Sequence, residues 1–129
     1  MNLFKPSSIL IATWIFFGCG ASQPAPDIFA LPVSYIVGKK PEVVIAHDMN
    51  NDEFPDLLVV NSAGNSLSYF EGLGDGTFKD QQIIETGREP FAIELADFNG
   101  DRIADIALCN YGDGEVSIIL GQKDGLFKL

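Results

Sequence analysis

The fold of this chain is decided by residues 48–56, which read Asp-Met-Asn-Asn-Asp-Glu-Phe-Pro-Asp, and by a second copy at 97–105, which reads Asp-Phe-Asn-Gly-Asp-Arg-Ile-Ala-Asp. Both copies place side-chain oxygens at positions 1, 3, 5 and 9. A tightly turned loop brings alternate positions around one point, so the main-chain carbonyl of position 7 adds a further oxygen. Hard cations such as calcium prefer ligand sets made only of oxygen. The two stretches therefore predict two calcium-binding loops.

Both loops carry the same set of predicted ligands. Three carboxylates packed within a few ångströms would repel one another strongly, and a divalent cation would neutralise them. Position 12 is Val59 in one copy and Leu108 in the other, whereas the helix–loop–helix calcium site closes with a bidentate Glu there. We therefore expect two calcium ions in loops that are not EF-hands. The first is held by the side chains of Asp48, Asn50, Asp52 and Asp56 with the carbonyl of Phe54, and the second by those of Asp97, Asn99, Asp101 and Asp105 with the carbonyl of Ile103.

The repeat extends well beyond the two loops. Self-similarity at a period of about 40 to 50 residues indicates propeller blades or solenoid units, because one such unit cannot cover its own apolar face. Shifting this chain by 49 residues aligns identical residues on both sides of the loops: Gly38 with Gly87, Pro41 with Pro90, Asn61 with Asn110, Gly72 with Gly121 and Phe78 with Phe127.

The sequence predicts one antiparallel meander of strands per repeat. Residues 32–37 stand at the register of 81–86, so we expect them to form a further strand, the last one of another blade. The expected fold is all-β, with two four-stranded antiparallel blade-like repeats of a β-propeller that do not close a ring. Short apolar runs bounded by turn residues favour strands, and they occur at 42–47, 56–61, 66–71 and 80–85 in the first repeat and at 92–96, 105–109 and 115–120 in the second.

These features resemble the FG-GAP/VCBS-type repeats of integrin-like β-propellers. The resemblance rests on the pattern Asp-x-Asn-x-Asp-x-x-x-Asp-aliphatic, a following strand that ends in Asn, and the turn x-Gly-x-x-Asp-Gly-x-Phe. It covers nearly all of the chain after residue 31. It implies four-stranded blades around a central axis, calcium in the hairpin between the first and second strands, and function by binding or display.

Position 6 of the two loops departs from the family pattern. Family loops usually carry Gly there, where the backbone needs a positive φ, but this chain has Glu53 and Arg102. A positive φ costs a residue with a Cβ atom on the order of 1 kcal/mol. We therefore expect a metal affinity below that of a typical family loop.

The N-terminal residues have the composition of a targeting segment. Lys5 precedes the apolar run 9–17, after which come small residues and a Pro-rich stretch, and this is the order found in a signal peptide. The tract that ends at Cys19 resembles a bacterial lipoprotein box, so Cys19 is the expected lipidation site, with ordinary cleavage after Ala21 as the alternative. We divide the chain into a signal peptide (1–19), a linker (20–30), repeat 1 (31–79) and repeat 2 (80–129).

Composition and motifs give no support to catalysis or to nucleic-acid binding. Eighteen acidic residues stand against eight basic ones, for a net charge of −10, and the basic residues form no stripe. His47 is expected to be a solvated neighbour of the first loop, and no nucleophile elbow, zinc-protease helix motif or CxxC pair occurs. Cys109 is expected to be a small buried hydrophobe. We expect the inter-blade core to include the recurring aromatic residues Phe54, Phe70, Phe78, Phe98 and Phe127.

The expected function is that of a calcium-binding, non-catalytic repeat module for adhesion, ligand display or assembly. We place it outside the cytoplasm, either lipid-anchored at a bacterial envelope or secreted. Its expected partners are further blades of the same or another chain and a protein or glycan ligand, with no nucleic acid and with membrane contact only through a lipid anchor. Two alternatives stay open: a carbohydrate-binding or hydrolytic propeller relative, and an N-terminal fragment of a longer propeller protein.

Overall fold

Two antiparallel sheets make up the computed structural model, which describes residues 32–123 and 127–128. Each sheet is a meander in which neighbouring strands follow chain order. The predicted all-β fold of two blade-like sheets is confirmed, and the described residues do not form a closed ring. Sheet 1 consists of β1 (Pro41–His47), β2 (Asp56–Asn61), β3 (Ser66–Phe70) and β4 (Gln82–Glu85), and sheet 2 of β5 (Pro90–Ala96), β6 (Asp105–Asn110), β7 (Glu115–Gly121) and β8 (Phe127–Lys128).

The pairing of strands repeats between the two sheets. His47 pairs with Asp56 and Ala96 with Asp105, so each acidic loop connects the two strands of a hairpin. The register of both first strands shifts just after their first residue, which is a proline in each case. Proline has no N–H group for the ladder and is therefore confined to such ends and irregularities.

The last strands of the two sheets are not equivalent. In sheet 1, β4 pairs with β3 over four residues. In sheet 2, β8 pairs Phe127 with Gly121, which is the counterpart of the isolated bridge between Gly72 and Phe78 in sheet 1. The two-residue β8 therefore corresponds to the residues just after the Gly-rich turn of repeat 1 (72–77), and the described part of sheet 2 contains three long strands.

Residues 32–37 form no strand, which corrects the prediction made from their register. The segment is held by a side chain instead of a backbone ladder. The ring of Tyr35 packs edge-on against Phe70 and Phe78, at centroid distances of 5.6 and 5.4 Å. Its hydroxyl group also accepts the N–H of Phe78 at 3.2 Å. Tyr35 thus attaches the segment to sheet 1, whereas Val33 and Ile36 are exposed.

The main core lies between the two sheets. Its apolar side chains come from β2, β3 and loop 1 on one side and from β6 and β7 on the other. Tyr69 also meets Phe127 edge-on, with ring centroids 5.2 Å apart. Removal of this apolar surface from water is the main stabilising contribution to such a fold. The buried cluster consists of Met49, Leu58, Val60, Leu67, Tyr69, Ile106, Leu108 and Ile119.

The two repeats differ in burial at equivalent positions. Five core residues of repeat 1 are buried against sheet 2, but among their counterparts 49 residues later Val116 is 61%, Phe98 50% and Ile118 46% exposed. Cys109 is also exposed, so the prediction of a buried cysteine is wrong. Its counterpart Val60 is covered by a neighbouring sheet, whereas no described segment covers Cys109. We call the five counterparts the open face: Phe98, Cys109, Val116 and Ile118, which are exposed, and Ala107, which is partly buried.

The recurring phenylalanines do not share one environment. Phe70 is buried, and Phe78 and Phe127 are partly buried. Phe54 and Phe98 are exposed, so the prediction that all five belong to the inter-blade core is wrong for these two. Both lie in the acidic loops, where a ring at the edge of a sheet is covered on one side only.

Ser34–Leu129 form one compact unit. Within the described residues, no helix is long and apolar enough to cross a membrane. The predicted signal peptide (1–19) with Cys19, and the linker (20–30), lie outside the described residues, as do the terminal positions 31 and 129 of the two repeats.

Candidate metal centre

The two acidic loops lie side by side at one end of the sheets. Loop 1 (48–55) joins β1 to β2, and loop 2 (97–104) joins β5 to β6. The side-chain amide of Asn51 donates to the main-chain carbonyl of Arg102 at 3.2 Å, which links the loops directly. A cavity of about 300 Å³ beside this contact is lined by residues of both repeats, including His47. His47 is exposed, as predicted for a solvated neighbour of the loop.

In loop 1 the polar side chains turn towards main-chain N–H groups. Asp48 accepts the N–H of Asp52 on Oδ1 at 3.1 Å and that of Glu53 on Oδ2 at 2.9 Å. Asn50 Oδ1 also accepts the N–H of Asp52, at 3.0 Å, and Asn50 Nδ2 donates to Asp52 Oδ2 at 2.9 Å. Asp52 Oδ1 accepts the N–H of Phe54 at 2.8 Å. The side-chain oxygens of positions 1 and 3 therefore converge on the amide of position 5.

Loop 2 repeats this arrangement. The N–H of Asp101 donates to Asp97 Oδ1 at 3.1 Å and to Asn99 Oδ1 at 2.8 Å. Asp97 Oδ2 accepts the N–H of Arg102 at 2.9 Å, and Asp101 Oδ1 accepts that of Ile103 at 2.8 Å. The hydrogen bond from Arg102 is the main reason why the pKa of Asp97 lies below its usual value, because an N–H donor stabilises the charged carboxylate.

The aspartate at position 9 of loop 1 is buried and fully engaged. Asp56 Oδ2 accepts the N–H of Met49 at 3.0 Å and the hydroxyl of Tyr69 at 2.9 Å, and Oδ1 accepts the N–H of Gly72 at 2.8 Å. Burial, and then the hydrogen bond to Asp56, raise the pKa of the Tyr69 phenol. This carboxylate therefore joins the loop, β3 and the Gly-rich turn.

Asp105 has the same position in loop 2. It accepts the N–H of Phe98 at 2.9 Å on one oxygen and that of Gly121 at 2.9 Å on the other. Ile118 stands where Tyr69 stands in repeat 1, so Asp105 has no phenol partner. The loop pattern predicted Asp56 and Asp105 only as ligands and did not predict this structural role. The signal was present as an Asp-to-Gly spacing of 16 residues, which occurs in both repeats.

The backbone at position 6 has the predicted conformation. Glu53 has a φ of 74° and Arg102 a φ of 70°, in the left-handed region that favours glycine. Position 4 is also left-handed, with φ values of 61° at Asn51 and 82° at Gly100. Two left-handed residues per loop produce the tight turn that brings positions 1, 3 and 5 together.

The donor chemistry of the loops fits a hard cation. All predicted ligands are oxygen atoms, and those of positions 1 and 3 converge in both loops. In the present conformation, the part of the chain that the structure describes contains no group of three or more His, Cys, Asp or Glu side chains arranged to hold a metal ion. The carboxylates of positions 1 and 5 accept hydrogen bonds from loop amides, and those of position 9 accept hydrogen bonds from other parts of the fold. Each carboxylate oxygen keeps a further lone pair that an ion would use.

Comparison with known protein families identifies the repeat. Residues 48–108 match the model of the FG-GAP-like repeat, from the first aspartate of loop 1 into β6. This stretch is an FG-GAP-like repeat. Both acidic loops fall inside it. No curated protein and no solved structure matches the chain significantly.

Proposed function

We propose that this protein is a calcium-binding, non-catalytic repeat module that works outside the cytoplasm in adhesion, ligand display or assembly. The observation that carries the proposal is the convergence of the position 1 and position 3 oxygens on one amide, which occurs in both loops. A repeat used for display needs a rigid loop more than a reactive one. The family match supports the assignment to a repeat module.

Each loop would bind one calcium ion through the same five positions. Calcium suits these loops better than magnesium, because it accepts more oxygen ligands and a less regular geometry. The ion would relieve the repulsion among three carboxylates and stiffen a loop that contains two left-handed residues. The ligands would be Asp48, Asn50, Asp52, Asp56 and the carbonyl of Phe54 in loop 1, and Asp97, Asn99, Asp101, Asp105 and the carbonyl of Ile103 in loop 2.

Isothermal titration calorimetry tests the metal assignment. The protein should bind two calcium ions, and Asp97→Ala should reduce the stoichiometry to one, because it removes a charged ligand from loop 2 without touching an apolar core residue. Asp80→Ala is the matched control, since Asp80 is an exposed aspartate outside both loops, and it should leave two sites. Absence of binding at millimolar calcium, or two sites in Asp97→Ala, would refute the assignment.

The proposed location outside the cytoplasm rests on the leader-like N-terminal sequence. Diacylation at Cys19 would anchor the repeats to a membrane, because two acyl chains provide the stable affinity that one chain lacks. Membrane fractionation should show loss of association in Cys19→Ser. Cys109→Ser, which changes the other cysteine, should remain in the membrane fraction. A soluble unmodified protein would instead support ordinary cleavage after Ala21.

The proposed partners are further blade-like sheets of the same or another chain. Support comes from repeat 1, where the residues equivalent to the open face are buried against a second sheet. A partner sheet with a similar apolar surface would cover the open face in the same way. Donation of residues 32–37 as a strand is not part of this proposal, because that segment packs through Tyr35 and forms no ladder.

A further inference from the structure

A second cavity lies between the repeats at the end of the sheets opposite the metal loops. Its residues lie just before or at the start of β1 and β5, or follow β2 and β6, whereas the acidic loops join the other ends of these strands. The cavity volume of about 360 Å³ is within the range of sites for small ligands. The lining includes Lys40, Glu42, Ser62, Glu89, Phe91 and Tyr111.

Repeat 2 supplies all the aromatic surface of this cavity. Phe91 is 61% and Tyr111 79% exposed. Their counterparts in repeat 1 are Glu42 and Ser62, which also line the cavity but carry no ring. Two exposed rings at the wall of a cavity offer apolar faces with a negative quadrupole, a surface that attracts cations.

Repeat 2 also supplies a carboxylate that has no ion-pair partner among the described residues. Lys40 pairs with Glu42 at 2.8 Å, and Arg88 pairs with Asp113 at 2.6 Å. Glu89 lies near both cations without pairing with either. Of the charged groups that line the cavity, one is positive and two are negative. The cavity therefore carries a net negative charge on a strongly acidic protein.

The carboxylate and the aromatic wall are held together by the backbone. Glu89 has a φ of 51°, and its N–H donates to Asn65 Oδ1 at 2.9 Å. The carbonyl of Glu89 accepts the N–H of Tyr111 at 3.0 Å. These two bonds fix the backbone of Glu89 next to that of Tyr111. Phe91 lies two residues further on, where the register of β5 shifts. Such fixed groups bind a ligand without losing backbone entropy.

We propose that this cavity binds a small organic cation of the alkylammonium class. The ring faces of Phe91 and Tyr111 contact the alkyl groups and the diffuse positive charge, and the carboxylate of Glu89 balances that charge. A neutral sugar would use the rings but would leave Glu89 without a counter-charge. The site is built from residues outside both metal loops, so it does not depend on calcium binding.

Choline and its neutral analogue 3,3-dimethylbutan-1-ol test the proposal, because they share a shape and differ in charge. NMR titration of the full chain should show choline shifting the resonances of Phe91 and Tyr111. The neutral alcohol should bind about two- to fivefold more weakly, since a cation over exposed rings gains roughly that factor. Equal binding of the alcohol, or shifts confined to the acidic loops, would overturn the proposal. So would a monosaccharide that shifts these resonances when choline does not.

Variants titrated with choline in the same way test whether the carboxylate of Glu89 and the ring of Tyr111 contribute to binding. Glu89→Gln and Tyr111→Ala should each weaken choline binding by about two- to fivefold. Glu94→Gln is the control, because Glu94 is an exposed acid on β5 that does not line the cavity. Asp52→Ala should also leave choline affinity unchanged, which separates this site from the metal loops. Unchanged affinity in Glu89→Gln, with preserved signal dispersion, would contradict the role of the carboxylate.

Discussion

At the scale of single residues, Glu53 and Arg102 hold a backbone conformation that glycine adopts without strain. Glu53→Gly and Arg102→Gly should each stabilise the fold by about 0.5 kcal/mol, because relief of roughly 1 kcal/mol of strain exceeds the added flexibility of the unfolded chain. Urea unfolding measures this change. Glu85→Gly, in the extended strand β4, is the control and should destabilise by roughly 0.5–1 kcal/mol. Destabilisation in all three variants would show that position 6 is unstrained.

Tyr69 and Asp56 form the most buried polar pair between a loop and the core. Tyr69→Phe should cost about 2 kcal/mol, because it removes a hydrogen bond to a charged group. The fold raises the pKa of Tyr69 above the ordinary value of 10.0. The protonated Tyr69 phenol therefore contributes its full stabilisation of the folded state below about pH 10. This stabilisation is lost as the pH rises further, because the unfolded chain then releases the phenol proton first.

Unfolding followed between pH 8 and 11 measures this dependence. The wild-type protein should lose stability more steeply above pH 10 than Tyr69→Phe. Tyr111→Phe changes an exposed phenol and should retain the stability of the wild type at pH 8. Parallel pH curves for wild type and Tyr69→Phe would contradict the role of the buried phenol.

At the scale of elements, the Gly-rich turns are packed against the acidic loops. A Cβ atom at Gly72 would overlap the carbonyl oxygen of Pro55, and one at Gly121 that of Ala104. Gly72→Ala and Gly121→Ala should each cost about 2 to 3 kcal/mol, because a backbone group must move. Gly100→Ala meets no neighbouring atom and should cost only the roughly 1 kcal/mol of its positive φ. Thermal unfolding measures these losses of stability. Equal losses in Gly72→Ala, Gly121→Ala and Gly100→Ala would refute the close packing of the turns against the loops.

The sequence predicted most elements because their signals are local. The acidic loops fix the ends of the hairpins, and the apolar runs of β2 and β6 leave little freedom in strand register. The predicted bounds of β2, residues 56–61, are therefore the observed ones. Residues 32–37 also have a strand-like apolar pattern but form no strand. The ring of Tyr35 packs against Phe70 and Phe78, and a local sequence pattern cannot predict such a long-range contact. The exposure of Cys109 could not be predicted either, because burial depends on which sheet lies alongside.

At the scale of the whole molecule, equivalent positions of the two repeats have opposite environments: Leu67 is buried and Val116 is exposed. Leu67→Ala should cost about 2 to 5 kcal/mol, because it leaves a cavity in the core. Val116→Ala changes the equivalent position on the open face and should cost less than about 1 kcal/mol. Denaturant unfolding of the two variants measures the difference. A large loss in Val116→Ala would show that another sheet already covers the open face in solution.

The buried pair of Tyr69 and Asp56 also gives the molecule an optical reporter. The only tryptophan, Trp14, lies in the predicted signal peptide, so emission from the repeats comes from tyrosine. A phenol that donates to a carboxylate emits weakly. Asp56 directly follows loop 1 and accepts the hydroxyl of Tyr69, whereas repeat 2 has Ile118 in place of the tyrosine. Tyrosine emission should therefore change when loop 1 is occupied or disturbed and stay constant when only loop 2 is. The two loops can thus be distinguished by fluorescence without attaching a dye.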